Sequence, residues 1–96
     1  MSKRSRFKFR LYTADDTLNS VQAIANLTAL CEIHLPNRHE IEVVDVFAHP
    51  QRALADKIRM TPTLLKLSPL PVRRIIGTLS QTKLVLVALG LDLPSP

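Results

Sequence analysis

The chain has 96 residues, which suffices for one packed domain and leaves no room for a second core. Hydrophobic residues make up 46% of it and two residues are glycine, so a disordered or low-complexity chain is excluded and an aliphatic core is expected. The formal charge is +5, no apolar run approaches the roughly 20 residues that span a bilayer, and the lone Cys31 excludes an intrachain disulfide and a CxxC redox pair. We expect a cytoplasmic protein without a membrane segment.

Positive charge is concentrated in the first ten residues, which contain five basic residues and no acid. These are Lys3, Arg4, Arg6, Lys8 and Arg10. No platform of aromatic and basic residues follows, so a solvated tail is favoured over nucleic-acid binding. We predict a basic arm over residues 1–6, a domain over 7–93 and a short tail over 94–96.

The N-terminal half predicts a strand, a helix and a second strand. Residues 7–12 alternate apolar with polar side chains, which indicates a strand with one apolar face. Thr17 is expected to cap a helix that ends before Pro36. The apolar face of this helix comprises Val21, Ile24, Leu27, Cys31 and Leu35. Residues 41–47 are apolar and β-branched, so they predict a strand parallel to the first, joined to it by a right-handed crossover.

The next segment predicts a short helix and a hairpin. Pro50 is tolerated in the first turn of a helix over residues 51–58. Two strands over residues 64–67 and 72–76 follow, separated by Ser68-Pro69-Leu70-Pro71, a spacing that suits a hairpin turn.

Ser80 is expected to cap a last helix that ends near Gly90. Residues 84–87 fit a strand equally well, because a short apolar run is compatible with both structures. With the helical reading, the element order is βαβαββα, the arrangement of thioredoxin-like α/β domains.

A thiol is missing where thioredoxin-type enzymes carry one. Their catalytic cysteine lies at the N-terminus of the first helix, whose dipole lowers the thiol pKa. Residues 15–20 supply two acids and no thiol at this place, and Cys31 falls on the apolar helix face as an expected packing residue. Thioredoxin-type catalysis is therefore disfavoured.

Other reactive side chains favour structural roles. His34, His39 and His49 lack the i, i+4 spacing of a helical zinc pair. The Asp45 carboxylate, within a strand, is expected to pair with another polar group in a structural role. The adjacent Asp15 and Asp16 are expected to lie in a turn. The residues by themselves predict a binding protein, not an enzyme, with no catalytic residue, metal ion or cofactor.

Four segments resemble the KaiB family of bacterial clock proteins: LYTADDTLNSVQAI, VVDVFAHPQ, DKIRMTPTLLKL and PVRRIIGTLS. The resemblance runs without gaps over about residues 7–92. The chain resembles the KaiB-like sensory domain of the histidine kinase SasA less closely, and the resemblance implies that such a kinase competes with it for KaiC. The resemblance to KaiB implies two interconverting folds, a tetrameric or dimeric ground state of order βαββααβ and a monomeric thioredoxin-like state that binds the N-terminal ATPase ring of KaiC. The resemblance implies that the N-terminal half is the same in both folds and that the secondary structure changes only from about His49 onward. We expect the ground state as the resting form.

By position, the resemblance places the KaiC-facing surface beside the Thr-Pro-Thr turn. Its candidate residues are Gln51, Ala55, Lys57, Ile58 and Arg59. Lys57 is the leading candidate, although a helix-end lysine also stabilises the helix dipole by about a few tenths of a kcal/mol without any partner. Arg73 and Arg74 point to opposite faces of a strand, so at most one belongs to a single contact surface.

Departures from the family pattern predict a member outside the core oscillator. Glu40 and Glu42 stand where clock members present an alanine and a lysine to KaiA, so charge repulsion argues against KaiA binding. Ala88 and Gly90 stand at the family's usual glycine and aspartate. Alanine for glycine favours the helix by roughly 0.8 to 1 kcal/mol, while glycine opposes the helix unless it lies past its end.

Several prolines lie in the half whose secondary structure, according to the resemblance, differs between the two folds. Pro62 begins a strand, where thioredoxin-like folds usually have a cis proline, and Pro69 and Pro71 bracket the hairpin turn. Because isomerisation of X-Pro bonds is slow, these prolines are candidates for controlling a slow switching step. The rival readings are a KaiB-fold interaction or stress-response module that no longer binds KaiC, a nucleic-acid binder and a thioredoxin-type enzyme.

Overall fold

A computed structural model describes residues 6–91, which form a mixed four-stranded sheet with three helices. The elements are β1 (Phe7–Thr13), α1 (Leu18–His34), β2 (His39–Asp45), α2 (Pro50–Ala55), β3 (Thr63–Ser68), β4 (Arg73–Ile76) and α3 (Thr82–Leu89). Most of the predicted basic arm, the end of the predicted domain and the predicted tail lie outside the described residues. Within residues 6–91, no helix has the length and apolar character needed to cross a membrane.

The sheet has the strand order β2-β1-β3-β4. β2 is parallel to β1, as the strand, helix, strand pattern predicted, and the β3–β4 hairpin is antiparallel. The predicted order βαβαββα is therefore confirmed. The expectation of the ground-state order βαββααβ is wrong for this structure, which has the thioredoxin-like arrangement because residues 82–89 are helical.

The core has two parts, one on each face of the sheet. The larger part lies under α1 and α3 and includes Phe9, Leu11, Leu27, Cys31, Leu64 and Leu89. The smaller part lies under α2 and consists of Tyr12, Val44, Ala53 and Leu65. The prediction that β1 has one apolar face is wrong at its C-terminal end, because α2 covers the opposite face and Tyr12 is fully buried there.

The helix α1 begins and ends as predicted, but its buried face is rotated. Thr17 caps it by accepting a hydrogen bond from the Ser20 N–H. Ser20 is itself buried, because its hydroxyl oxygen accepts hydrogen bonds from the Ala14 N–H at 3.0 Å and the Thr17 hydroxyl at 2.8 Å. With Ser20 turned inward, Val21 and Ile24 are 50% and 37% exposed, contrary to the prediction.

Three element boundaries differ from the predictions for local reasons. β2 ends at Asp45 because its carboxylate accepts the Phe47 N–H at 2.9 Å and closes a turn, which confirms a structural role for Asp45. α2 ends at Ala55 and not at Ile58. The expectation that Ser80 caps the last helix is wrong, because Gln81 occupies the cap position and makes no side-chain capping bond.

Three prolines of the C-terminal half, Pro62, Pro69 and Pro71, follow cis peptide bonds in this structure. The three bonds are Thr61-Pro62, Ser68-Pro69 and Leu70-Pro71. The expectation for Pro62 is confirmed, and Pro69 and Pro71 lie between β3 and β4 at the hairpin turn as predicted.

Candidate functional site

The end of α2 is closed by a hydrogen-bonded Schellman motif. The Lys57 N–H donates to the Leu54 carbonyl at 3.0 Å, and the Ile58 N–H donates to the Ala53 carbonyl at 2.9 Å. Ala53 and Ile58 both pack in the core under α2, which supplies the apolar contact that accompanies this motif. The chain therefore leaves α2 along a fixed path.

Lys57 occupies the position of this motif that glycine usually holds. Its φ is +57°, in the left-handed region, where a residue with a Cβ is disfavoured by about 1 to 2 kcal/mol. The surrounding bonds hold it there, and the Lys57 side chain is exposed. Backbone strain of this kind clusters at functional sites, so the observed φ supports Lys57 as the leading candidate.

The other candidates surround Lys57. Gln51 and Ala55 are four residues apart on α2, so they share one exposed helix face, and Arg59 is exposed after the motif. Ile58 is only half exposed and packs inward. Four of the five candidates are therefore exposed, whereas Ile58 packs against the core under α2.

Arg74 ties the backbone of this loop to the sheet. Its Nη2 donates to the Asp56 carbonyl at 2.6 Å and its Nη1 to the Lys57 carbonyl at 3.3 Å. Arg73 pairs with Lys66 and Arg74 with Leu65, so the two arginines project to opposite faces, as predicted from the strand period. Only Arg74 belongs to the surface around Lys57.

A polar network beneath α2 connects it to β1 and β2. Asp56 Oδ2 accepts hydrogen bonds from the Tyr12 hydroxyl and from Arg10 Nη1, the latter at 3.0 Å. Arg10 Nε also lies 2.9 Å from Glu42 Oε1, and Arg52 Nη2 lies 2.9 Å from Glu42 Oε2. Sequence reasoning missed this network. The register of β1 with β2 accounts for the contact of Arg10 with Glu42, but not for the contacts with Asp56 and Arg52.

The network shifts the pKa of its members. Burial raises the pKa of Asp56, but the hydrogen bonds from Tyr12 and Arg10 outweigh burial and hold it below its ordinary value. Hydrogen bonds from Arg10 and Arg52 likewise lower the pKa of Glu42. The pKa of Arg10 is raised, chiefly by Glu42, and that of Tyr12 is raised by burial and by Asp56. All four groups are therefore held in their neutral-pH charge states.

Glu40 and Glu42 lie on β2, an edge strand, with basic partners in their own chain. Glu42 contacts two arginines as described, and Glu40 Oε1 lies 3.7 Å from Arg6 Nε. Their negative charge is partly compensated within the chain.

Cys31 is fully buried, and burial raises its pKa to about 12. This confirms a packing residue, whereas a catalytic thiol has a lowered pKa. Within the part of the chain that the structure describes, no three metal-ligating side chains form a cluster.

Gly90 lies just past the end of α3, where a second Schellman motif closes that helix. Its φ is +77°, its N–H donates to the Val87 carbonyl at 3.0 Å, and the Leu91 N–H donates to the Leu86 carbonyl at 2.8 Å. Ala88 is an exposed residue within α3. Both substituted positions therefore suit a helix in this segment, Ala88 by propensity and Gly90 by its left-handed backbone.

The sequence profile of the KaiB domain matches residues 10–91. The chain belongs to the KaiB family. It is 47% identical over 93 residues to the circadian clock oscillator protein KaiB of Synechococcus elongatus, covering 97% of this chain and 89% of the relative. It is 45% identical over 89 residues to the circadian clock protein KaiB3 of Synechocystis, covering 93% and 85%.

Solved structures similar to this KaiB-family chain have thioredoxin-like folds. Chloroplastic thioredoxin z superposes with a TM-score of 0.74 at 16% identity, covering 92% of this chain and 80% of that one. The N-terminal domain of Synechococcus elongatus SasA superposes with a TM-score of 0.65 at 20% identity, covering 100% and 94%. At these identities the likeness establishes the fold.

Proposed function

We propose that this KaiB-family protein is a non-enzymatic regulatory protein that binds the N-terminal ATPase ring of a KaiC-like protein and modulates its cycle or its output signalling. The observation that carries the proposal is the position of Lys57. Its exposed ammonium is presented from a strained, hydrogen-bonded turn, flanked by the exposed Gln51, Ala55 and Arg59. The names of the relatives, which describe clock proteins, support the same assignment.

The test is a binding titration against the KaiC-like ATPase of the same host, with ATP and with ADP. Lys57→Gln is expected to weaken binding by about tenfold, because the variant removes a central exposed charge. Lys8→Gln, at an exposed position near the start of β1, serves as the matched control and is expected to bind normally. Absence of binding by the parent protein with either nucleotide would contradict the proposal and favour an interaction or stress-response module.

KaiA is not a partner in this proposal. Glu40 and Glu42 place carboxylates on β2, and Glu42 is held in place by two arginines of its own chain. A surface shaped for lysine at this position would meet negative charge instead. We therefore propose a member outside the core oscillator that does not bind KaiA. A histidine kinase with a SasA-like domain, which shares the thioredoxin-like fold, is proposed to compete for the KaiC-like ring.

Fold switching is part of the same proposal. The ambiguous segment 84–87 lies within α3 in this structure and is proposed to become a strand in a ground-state tetramer or dimer. Size-exclusion chromatography with backbone NMR shifts for residues 80–91 tests it: a monomer with helical shifts is the state described above, and strand shifts in an oligomer identify the second state. A monomer with helical shifts under all binding conditions would contradict switching.

A further inference from the structure

The last strand of the sheet, β4, has an open edge. β4 pairs only with β3 in the described sheet, and its residues are mostly exposed. The Gly77 N–H donates to the Pro62 carbonyl at 2.9 Å, which makes Gly77 and Pro62 a hydrogen-bonded pair. Because such pairs alternate in an antiparallel ladder, the backbone N–H and C=O groups of Arg74 and Ile76 face away from β3. A further strand would find these groups available.

A groove lined by both apolar and polar residues lies beside this open edge. It has a volume of about 530 Å³ and lies between β4, the loop that follows it and α3. Leu84 and Ala88 of α3 line one side, and Ile75 and Ile76 of β4 line the other. Ile76 and Leu84 are 54% and 64% exposed, so large apolar side chains remain uncovered next to unpaired backbone groups. Both features suit an extended segment, which uses backbone bonds for affinity and alternate side chains for specificity.

The charge around the groove selects an acidic occupant. From Lys57 to Leu91 the sequence contains six basic residues and no Asp or Glu. Arg74 lines the groove, Arg73 is exposed on the same strand, and Lys83 precedes Leu84 on α3. A second copy of the chain is a poor occupant, because pairing of two β4 edges would bring arginines together. Pairing of β4 with the β2 edge of another copy would use carboxylates that already contact arginines of their own chain.

We propose that the β4 edge is a second docking surface, which binds an extended segment of a partner protein with alternating acidic and apolar side chains. The segment adds as a fifth strand next to β4. Its apolar side chains pack against Leu84 and Ala88, and its carboxylates, on the alternate residues, approach Arg74. This surface adjoins the exposed face of α2 through Arg74, and its test needs no KaiC-like protein.

The test uses two blocked peptides of about seven residues, the length of an ordinary strand, one alternating Glu with Val and the other alternating Lys with Val. Binding to the full chain is followed by NMR shifts and amide hydrogen exchange. The Glu-Val peptide is expected to protect the Arg74 and Ile76 amides and to lose about tenfold in affinity between low and high salt. The Lys-Val peptide is expected to leave both amides unprotected.

Two variants locate the site. Leu84→Glu places a carboxylate in the groove and is expected to weaken binding of the Glu-Val peptide by about tenfold, through charge repulsion and lost apolar contact. Val21→Glu is the matched control, since Val21 is a half-exposed apolar residue on α1, and it is expected to bind as the parent does. Ile76→Pro removes one outward N–H at an edge position that tolerates proline, and is expected to abolish protection of Arg74.

Several outcomes would overturn the proposal. They are equal binding of the two peptides, protection of amides outside β4, self-association of the chain through the same amides, and displacement of the peptide by a single-stranded oligonucleotide. If Ile76→Pro fails to fold, the comparison of the Leu84 and Val21 variants decides by itself.

Discussion

At the scale of single residues, Lys57 and Gly90 occupy the same place in two equivalent helix ends. Both have a positive φ, both donate to a carbonyl three residues earlier, and each is followed by an apolar residue that folds back on the core. Only Gly90 has the residue type that this backbone favours. Lys57 is therefore a position where stability is reduced while an exposed charge is retained.

Replacing Lys57 by glycine is expected to stabilise the thioredoxin-like state by about 1 kcal/mol, because the left-handed backbone no longer opposes a Cβ atom. Lys57→Ala removes the same charge but keeps the Cβ, so the difference between the two variants isolates the backbone effect. Urea unfolding measures both free energies. Equal stability of the Gly and Ala variants would show that the turn is unstrained.

Asp56 gives a residue-scale prediction with a defined pH dependence. Because its folded-state pKa is lowered, its contribution to stability is present above the ordinary carboxyl pKa and is lost as pH falls through the folded-state value. Asp56→Asn is expected to lower the unfolding free energy by about 1 to 2 kcal/mol at neutral pH, since Arg10 and Tyr12 lose a charged acceptor.

The difference in unfolding free energy between the parent protein and Asp56→Asn should decrease at pH values below the folded-state pKa of Asp56, where the carboxylate is protonated. Asp16→Asn, which changes an exposed carboxyl group in the turn before α1, is the control and should show little loss at neutral pH. If the loss of unfolding free energy in Asp56→Asn is the same at all pH values, the loss arises from packing and not from charge.

At the scale of elements, α3 is the segment whose structure the sequence left open. Its run of Leu and Val residues fits a strand as well as a helix, and the cap expected from Ser80 is absent. The helix is closed at its other end by Gly90 and carries Ala88 in its exposed face. The family resemblance implies glycine and aspartate at these two positions, and both residues of this chain favour the helix here.

Restoring the family residues, Ala88→Gly with Gly90→Asp, is expected to destabilise α3 by about 1 to 2 kcal/mol in total. Under the proposed fold switching, the double variant should shift the population toward the oligomer with strand shifts in residues 80–91. Size-exclusion chromatography and NMR measure the shift.

The control is Ala25→Gly on α1, an exposed helix position of the half that both proposed states share. It should lower stability without changing the oligomeric state. A double variant that remains a helical monomer would contradict the role of these two positions in switching.

Local patterns predicted the order and type of the first six elements, because strand alternation, helix caps and prolines act over a few residues, but they left α3 open between helix and strand. They failed where tertiary contacts decide. Ser20 turned inward because Ala14 and Thr17 bond to it, and Tyr12 became buried because a distant helix covers it. The candidate surface on α2 came from the family resemblance, whereas the strained Lys57 backbone and the Asp56 network required the register of three strands and one helix.

At the scale of the whole molecule, the two edges of the sheet differ in charge. β2 carries Glu40, Glu42 and Asp45 at one edge, while β4 carries Arg73 and Arg74 at the other. The acids of β2 are partly offset by arginines, whereas the sequence from Lys57 to Leu91 contains basic residues and no Asp or Glu. The predicted basic arm therefore accounts for only part of the positive charge.

Within residues 6–91, this separation of charge between the two edge strands contributes a component of the electric dipole that is directed across the sheet. In the electric field of an acidic partner, the protein would rotate before contact so that β4 and the loop after α2 face the partner. Pre-orientation of this kind acts on the rate of association more than on the lifetime of the complex, and it weakens as ionic strength rises. Under the proposed function, the protein would thereby meet the KaiC-like ring in a binding orientation more often than random collision allows.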